Sequence, residues 1–132
     1  MASGGSLNAP WGLFIAPSSF GAAAGDLLVG NFGDGRINIY DADTHAPLGQ
    51  VLDASNQPVA IDGLWALSPG NDALAGNSHL LYFTAGPNDE THGVFGVLAV
   101  VPELPTYAMM LLGVGVVGLW ARRLQQGHIK IG

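Results

Sequence analysis

The segment GPNDETHG holds the residues of this chain that are best suited to chemistry. It places Asn88, Asp89, Glu90 and His92 within five residues, and Asp62 lies upstream, just before GLW. Carboxylate, amide and imidazole groups are ligands of Ca²⁺ and of other divalent metals. We therefore predict Asp62, Asp89, Glu90 and His92 as candidate ligands of a divalent metal such as Ca²⁺. The alternative is that these residue types are present because turns favour Asn, Asp and Gly.

No motif for a catalytic nucleophile accompanies these candidate ligands. The sequence contains no GxSxG, HExxH or P-loop pattern, which mark common classes of hydrolase and nucleotide-binding enzyme. The segment DADTH resembles half of a calcium-binding loop, but it lacks the glycine and the closing glutamate of the EF-hand pattern. The sequence favours a protein without catalytic activity and leaves an enzyme as the alternative.

Charge and composition restrict the partners and the fold. Residues 1–103 contain all ten acidic residues and one basic residue, a net charge of −9, whereas residues 104–132 contain three basic residues and no acidic one. Phosphate binding needs clustered Lys and Arg, so the acidic part argues against nucleic acid as a partner. Twenty glycines and eight prolines favour short strands and turns. The absence of cysteine excludes disulfides and thiolate metal sites.

The acidic part contains an internal repeat. Trp11 aligns with Trp65, and the apolar triplet 27–29 aligns with 81–83, at an offset of 54; after the following turn Gly35 aligns with Gly93 at an offset of 58. A period of about 50 residues with strand-like content indicates β-propeller blades, and the two tryptophans are expected between the blades. We predict an all-β fold of two four-stranded antiparallel blade-like units, an incomplete β-propeller, followed by one C-terminal transmembrane helix. The alternative is a small antiparallel sandwich with a coincidental repeat.

The transmembrane prediction depends on an uncharged run. Leu104 to Ala121 contains 18 residues without charge, which as a helix would extend for about 27 Å, close to the thickness of a bilayer core. Arg122 and Arg123 follow at once, as at the cytoplasmic end of a membrane helix. The alternative is a buried helix of a soluble domain.

Two parts of the chain resemble known bacterial families. LLVGNFGDGRIN and YFTAGPNDETHG resemble the C-terminal part of an uncharacterised bacterial envelope family of the NHL-like β-propeller type, over about residues 7–98. Val101, Pro102 and Glu103, followed by the apolar run and by Arg122 and Arg123, resemble the PEP-CTERM sorting signal of Gram-negative bacteria. That resemblance implies processing by an exosortase and an inner-membrane anchor with a periplasmic body, followed by release to the surface or the extracellular space.

These observations predict an organisation and a function. We expect a disordered N-terminus (1–8), two propeller-like repeats (about 9–58 and 59–100), a sorting signal (101–126) with a transmembrane helix at about 105–121, and a cytoplasmic tail (127–132). The expected function is that of an exported, envelope-associated and truncated propeller module with a binding or structural role, and with extracellular polysaccharide as a further partner. The alternative is a fragment of a metal-dependent, lactonase-like propeller hydrolase.

Overall fold

Two antiparallel sheets make up the described part of the protein. The computed structural model of the chain describes residues 3–99 and 129–131. The first sheet has the strand order β1 (Pro10–Ile15), β2 (Leu27–Asn31), β3 (Ile37–Tyr40), β4 (Pro47–Asp53) and β8 (Ile129–Ile131). The second sheet has the order β5 (Leu64–Pro69), β6 (Leu81–Ala85) and β7 (Val94–Leu98). A short 3₁₀ turn (Gly21–Ala23) precedes β2, and a single helical turn, α1 (Pro87–Glu90), lies between β6 and β7.

The prediction of an all-β, antiparallel fold is confirmed, whereas the strand count of the second unit is corrected. Residues 10–53 form four strands, but residues 64–98 form three. Within the described residues, no helix is long and apolar enough to cross a membrane. The helix predicted at about 105–121 lies outside the residues that the structure describes, as do the sorting-signal residues Val101, Pro102, Glu103, Arg122 and Arg123.

The two sheets repeat the same strand register. In the first sheet Leu13 pairs with Val29, and a bulge follows Pro10. In the second sheet the pairs and the bulge recur 54 residues later, with Leu67 opposite Phe83. The ladder between β2 and β3 recurs as the ladder between β6 and β7, and the residues of β7 lie 58 positions after their counterparts in β3. The offsets read from the sequence are therefore the offsets of the hydrogen-bonded ladders.

The sheets pack against each other through one face of each. Buried residues of both sheets form a single cluster that includes Leu28, Ile37, Ile39 and Val51 of the first sheet and Leu64, Leu67, Leu81 and Leu98 of the second. The closest approach is between β1 or β2 and β5. A Cβ atom added to Gly30 would lie 2.9 Å from Cδ2 of Leu64, and one added to Gly12 would lie 2.8 Å from the carbonyl oxygen of Trp65. Glycine at these two positions lets the sheets meet closely.

The N-terminal segment is hydrogen-bonded to the first sheet, which differs from the predicted disorder of residues 1–8. Ser6 accepts hydrogen bonds through its carbonyl oxygen from the side-chain amides of Asn31 and Asn38, at 2.8 and 3.1 Å. Asn8 accepts one from the backbone N–H of Gly33 at 3.1 Å. These bonds hold the segment because Asn31 and Asn38 are buried and need polar partners.

Strand β8 lies within the segment 127–132 that the sequence predicts as a cytoplasmic tail, and it pairs with strand β4. Val51, Leu52 and Asp53 of β4 pair with Ile131, Lys130 and Ile129. The location of this tail relative to a membrane stays a prediction. The alternating residues of Ile-Lys-Ile also fit an edge strand.

Candidate functional site

Asp62 and the loop between β6 and β7 form the first candidate site. The backbone N–H of Asn88 donates to Oδ2 of Asp62 at 3.1 Å. Beside it, the N–H of Gly86 donates to the carbonyl oxygen of Gly63 at 2.9 Å. The loop turns through α1, in which Asn88, Asp89 and Glu90 have φ angles of 53°, 54° and 65°. Asp62 thus holds the start of a left-handed turn, which is a structural use of its carboxylate.

The same contact occurs in the first unit without the carboxylate. The N–H of Phe32 donates to the carbonyl oxygen of Ala9 at 2.9 Å, and these residues lie 54 positions before Gly86 and Gly63. Ala9 and Gly63 both have positive φ angles, 48° and 66°. Asn8 stands where the second unit has Asp62. The backbone contact is therefore common to both units, although the residues that make it and the side chain that flanks it differ.

The predicted metal ligands are placed at the surface. Asp62, Asp89, Glu90 and His92 are all exposed. Nδ1 of His92 lies 2.9 Å from the hydroxyl oxygen of Thr91, its neighbour in the chain. Over residues 3–99 and 129–131, no three acidic or histidine side chains converge as a metal site would require. The structure brings Asp62 to the loop backbone but does not gather the four residues around one point, and the metal-dependent hydrolase stays a prediction.

Other acidic residues stabilise turns. The Asp41 carboxylate accepts from the backbone N–H groups of Thr44, at 2.7 Å, and Asp43, at 2.9 Å, and these bonds lower its pKa. The Asp72 carboxylate accepts from the hydroxyl and the backbone N–H of Ser78, at 2.6 and 2.8 Å, which lowers the pKa of Asp72. Hydrogen bonds to a carboxylate favour its ionised form. The DADTH segment is accordingly a turn in which the carboxylate of the first residue accepts hydrogen bonds from the backbone of the residues that follow it.

The second candidate site is the outer face of the second sheet, defined here as the face turned away from the first sheet. Its exposed residues include Phe95 and Val97 of β7, and the loop residue Leu74 lies beside it with its side chain fully in solvent. Tyr82 and Phe95 stack with ring centroids 5.7 Å apart and an interplanar angle of 12°. An open groove of about 400 Å³ runs along this face, with Pro69, Leu74, Tyr82 and Phe95 among its lining.

A matching apolar strip lies on the outer face of the first sheet. Trp11, Leu13 and Ile15 of β1 are 69%, 62% and 48% exposed. Trp11 therefore does not lie between the sheets, contrary to the prediction. Trp65, its counterpart, is half-buried, and its ring packs over Gly86. The repeat alignment contains the signal for both apolar surfaces, but the sequence does not show which faces lack a neighbour.

The comparisons with known proteins identify relatives of unestablished role. The chain is 41% identical over 94 residues to the uncharacterized protein L690 of Acanthamoeba polyphaga mimivirus. The aligned segment makes up 71% of this chain and 24% of that protein. It is 39% identical over 92 residues to the uncharacterized protein R648 of the same virus, with 70% and 22% covered. The chain thus spans about a quarter of the length of these curated relatives. No protein-family model and no solved structure matches it.

These relatives overturn the resemblance to a bacterial envelope family. The matches are mimivirus proteins, and a third, the uncharacterized protein R640, is 52% identical over 40 residues. The assignment to a Gram-negative PEP-CTERM protein processed by an exosortase is therefore wrong. A short Pro-Glu pair before an apolar run and two arginines is too little sequence to identify a sorting system, because apolar segments flanked by basic residues are common.

Proposed function

We propose that the chain forms two adjacent blades of a β-propeller-like assembly and acts as a binding or structural module. The observation that carries this proposal is the shared register of the two sheets together with their face-to-face packing. In a propeller, similar sheets stack side by side around an axis, so each sheet is covered on both faces. Here each sheet is covered by the other on one face and presents an apolar strip on the opposite face. In the first sheet the N-terminal segment lies beside this strip and binds Asn38 of the same face.

A binding or structural role is supported by the surface composition. Contiguous exposed apolar residues on a folded domain mark places where another molecule packs. Phe95, Val97 and Leu74 meet this description on one side of the pair of sheets, and Trp11 and Leu13 meet it on the other. The exported location and the polysaccharide partner stay predictions from the sequence alone.

An engineered disulfide tests the blade arrangement. The chain has no cysteine, so Gly30→Cys combined with Leu64→Cys introduces a single pair. A Cβ at position 30 would lie 3.5 Å from Cγ of Leu64, which is within the reach of a disulfide. We expect an intramolecular bond under mild oxidation, seen as a loss of free thiol in a chain of unchanged monomer mass. The control pair, Gly30→Cys with Leu74→Cys, should keep both thiols. Equal oxidation of the two pairs would contradict the packing of the sheets.

Metal titration tests the functional class. A binding or structural module needs no bound ion, so calorimetry of the full chain with Ca²⁺ or Zn²⁺ should show no saturable binding. Stoichiometric binding that disappears in the Asp62→Ala variant would overturn the proposal in favour of the metal-dependent alternative. Binding that persists in this variant but disappears in His92→Ala would also overturn the proposal, and it would place the metal site in the loop between β6 and β7.

A further inference from the structure

We propose that copies of this chain assemble head to tail, with the outer face of the second sheet of one copy packed on the outer face of the first sheet of the next. This inference rests on the proposed blade arrangement and names the partner of the two exposed faces as a second copy. It follows from continuity: the contact between copies repeats the contact that already joins the two sheets within one chain.

The outer face of the second sheet corresponds, residue by residue, to the buried face of the first. At the offsets of 54 and 58, the counterparts of Leu28, Ile37 and Ile39 are Tyr82, Phe95 and Val97. The three residues of the first sheet are at most 2% exposed, whereas Phe95 and Val97 are 72% and 48% exposed. Positions that are buried in the first unit are therefore at the surface in the second, and the side chains at these surface positions are still aromatic or aliphatic.

The outer face of the first sheet is the counterpart of the face that the second sheet already buries. Leu67 is buried at 6% exposure, and its Cγ lies 3.4 Å from the Cβ position of Gly12. Leu13 takes the place of Leu67 in the first sheet and is 62% exposed. In the head-to-tail contact Leu13 meets Ala66 of the preceding copy, the residue equivalent to Gly12.

The residues of the contact between copies are somewhat larger than those of the contact within a chain. Ala66 and Thr84 replace Gly12 and Gly30, and an aromatic ring replaces an aliphatic side chain at Tyr82 and at Phe95. Because a Cβ at position 12 already lies too close to the facing backbone, the copies must sit farther apart than the two sheets do. The added rings fill that wider gap, so the change in size is in the direction that complementarity requires.

Charge does not oppose this contact. Residues 1–103 carry a net charge of −9, yet the strands β1, β2, β3, β5, β6 and β7 contain no charged residue. The acidic side chains of the described residues lie in turns or at strand ends. Two acidic copies can therefore pack these faces without burying a carboxylate, which would be unfavourable. The two faces are different surfaces, so the contact is heterologous, and such a contact either closes into a ring or continues as a filament.

A complementation experiment tests the proposal on the full chain. Phe95→Lys places a charge on one face, and Leu13→Lys places it on the other. Each variant retains one intact face, so each alone should sediment as a 13.6 kDa monomer, while an equimolar mixture should form a 1:1 dimer that grows no further. The wild type should form larger species. Val94→Lys is the matched control: Val94 is already 42% exposed and its side chain is on the opposite face of β7, so this variant should assemble like the wild type.

Each alternative occupant gives a different result. Association through the apolar run 104–121 would survive in both lysine variants, and a two-fold contact of one face with itself would survive in one of them without complementation. A monomeric wild type would mean that no copy covers these faces. Any of these three results overturns the proposal, and the intramolecular disulfide between positions 30 and 64 shows separately whether the blade arrangement still holds.

A cross-link keeps the test decisive if a lysine variant fails to fold. Leu13→Cys and Ala66→Cys carry one thiol each and change the exposed faces little. Under mild oxidation, we expect a covalent dimer in the mixture and at least tenfold less in either variant alone. Ser55→Cys, on an exposed turn after β4, replaces Leu13→Cys in the control mixture. Cross-linking of that control at the same yield would contradict the proposed contact.

Discussion

Substitutions at Gly30 and Leu64 are expected to compensate each other, because the two residues meet at a close contact between the sheets. Leu64 is fully buried, and its Cδ2 lies 2.9 Å from the place where a Cβ of residue 30 would stand. A methyl group added at Gly30 needs the space that the end of the Leu64 side chain occupies. The pair Gly30→Ala and Leu64→Ala therefore forms a double-mutant cycle across the sheet interface.

The magnitudes follow from the packing. Leu64→Ala removes a buried isobutyl group and should lower the free energy of unfolding by about 2–5 kcal/mol. Gly30→Ala alone overpacks the contact, since Leu67 Cδ1 also lies 3.0 Å away, and should cost about 1–3 kcal/mol. In the double variant the new methyl group occupies part of the cavity. We therefore expect the double variant to be more stable than the sum of the two changes predicts, by at least about 1 kcal/mol.

Urea unfolding, followed by circular dichroism, measures all four corners of the cycle. A domain of this size has a total stability of roughly 5–15 kcal/mol, and Leu64→Val replaces Leu64→Ala if the larger deletion unfolds the chain. Leu74→Ala, at a fully exposed position, is the control and should change stability by less than about 0.5 kcal/mol. Additivity within about 0.3 kcal/mol would refute the contact between the first and second sheets.

Three further predictions concern the turns. Gly63→Ala should destabilise the protein by at least about 1 kcal/mol, because φ is 66° and the new Cβ would overlap the carbonyl oxygen of Gly86, whereas Gly93→Ala, with open space around it, should be neutral in the same melt. Glu90→Gly should raise the free energy of unfolding by about 1 kcal/mol, since Glu90 has a φ of 65°; a lower melting temperature would contradict this. Hydrogen bonds from the backbone N–H groups of Thr44 and then Asp43 lower the pKa of Asp41 from 3.8, so the contribution of Asp41 to stability is complete above pH 3.8 and is lost as the pH falls through the lowered pKa. Asp41→Asn should therefore flatten the acid side of the plot of unfolding free energy against pH, and an unchanged slope would contradict this prediction.

The register of both sheets could be predicted from the sequence because it depends on local signals. Apolar triplets define β2 and β6, and the glycines at 35 and 93 end the connections that follow, so the offsets of 54 and 58 describe two ladders correctly. The apolar runs predict the first two strands at residues 11–16 and 26–32, within one residue of the bounds of β1 and β2. Turn aspartates such as Asp41 were also recognisable from residue type, because a short carboxylate reaches its own backbone.

Features that depend on distant parts of the chain could not be predicted in this way. The pairing of β8 with β4 joins residues about 80 positions apart through a three-residue strand, which is too short for a periodic pattern. The left-handed turn at Asn88–Glu90 is formed by residue types that also bind metals, so composition alone does not separate the two interpretations. The hydrogen bond from the Asn31 side chain to the carbonyl oxygen of Ser6 joins residues 25 positions apart, and no local pattern predicts it.

The contrast between Trp11 and Trp65 shows what kind of information the sequence lacks. The two residues are equivalent in the repeat, and a leucine follows each of them two positions later, yet one is 69% exposed and the other is half-buried. The difference arises because β5 has another sheet beside it and β1 has none on its outer side. An apolar position in a repeat specifies that a partner surface is needed and not where that surface comes from. The exposure of Trp11 and Leu13 is therefore expected of a unit whose neighbour lies on another molecule or on another part of a longer chain, and the complementation experiment asks which molecule supplies it.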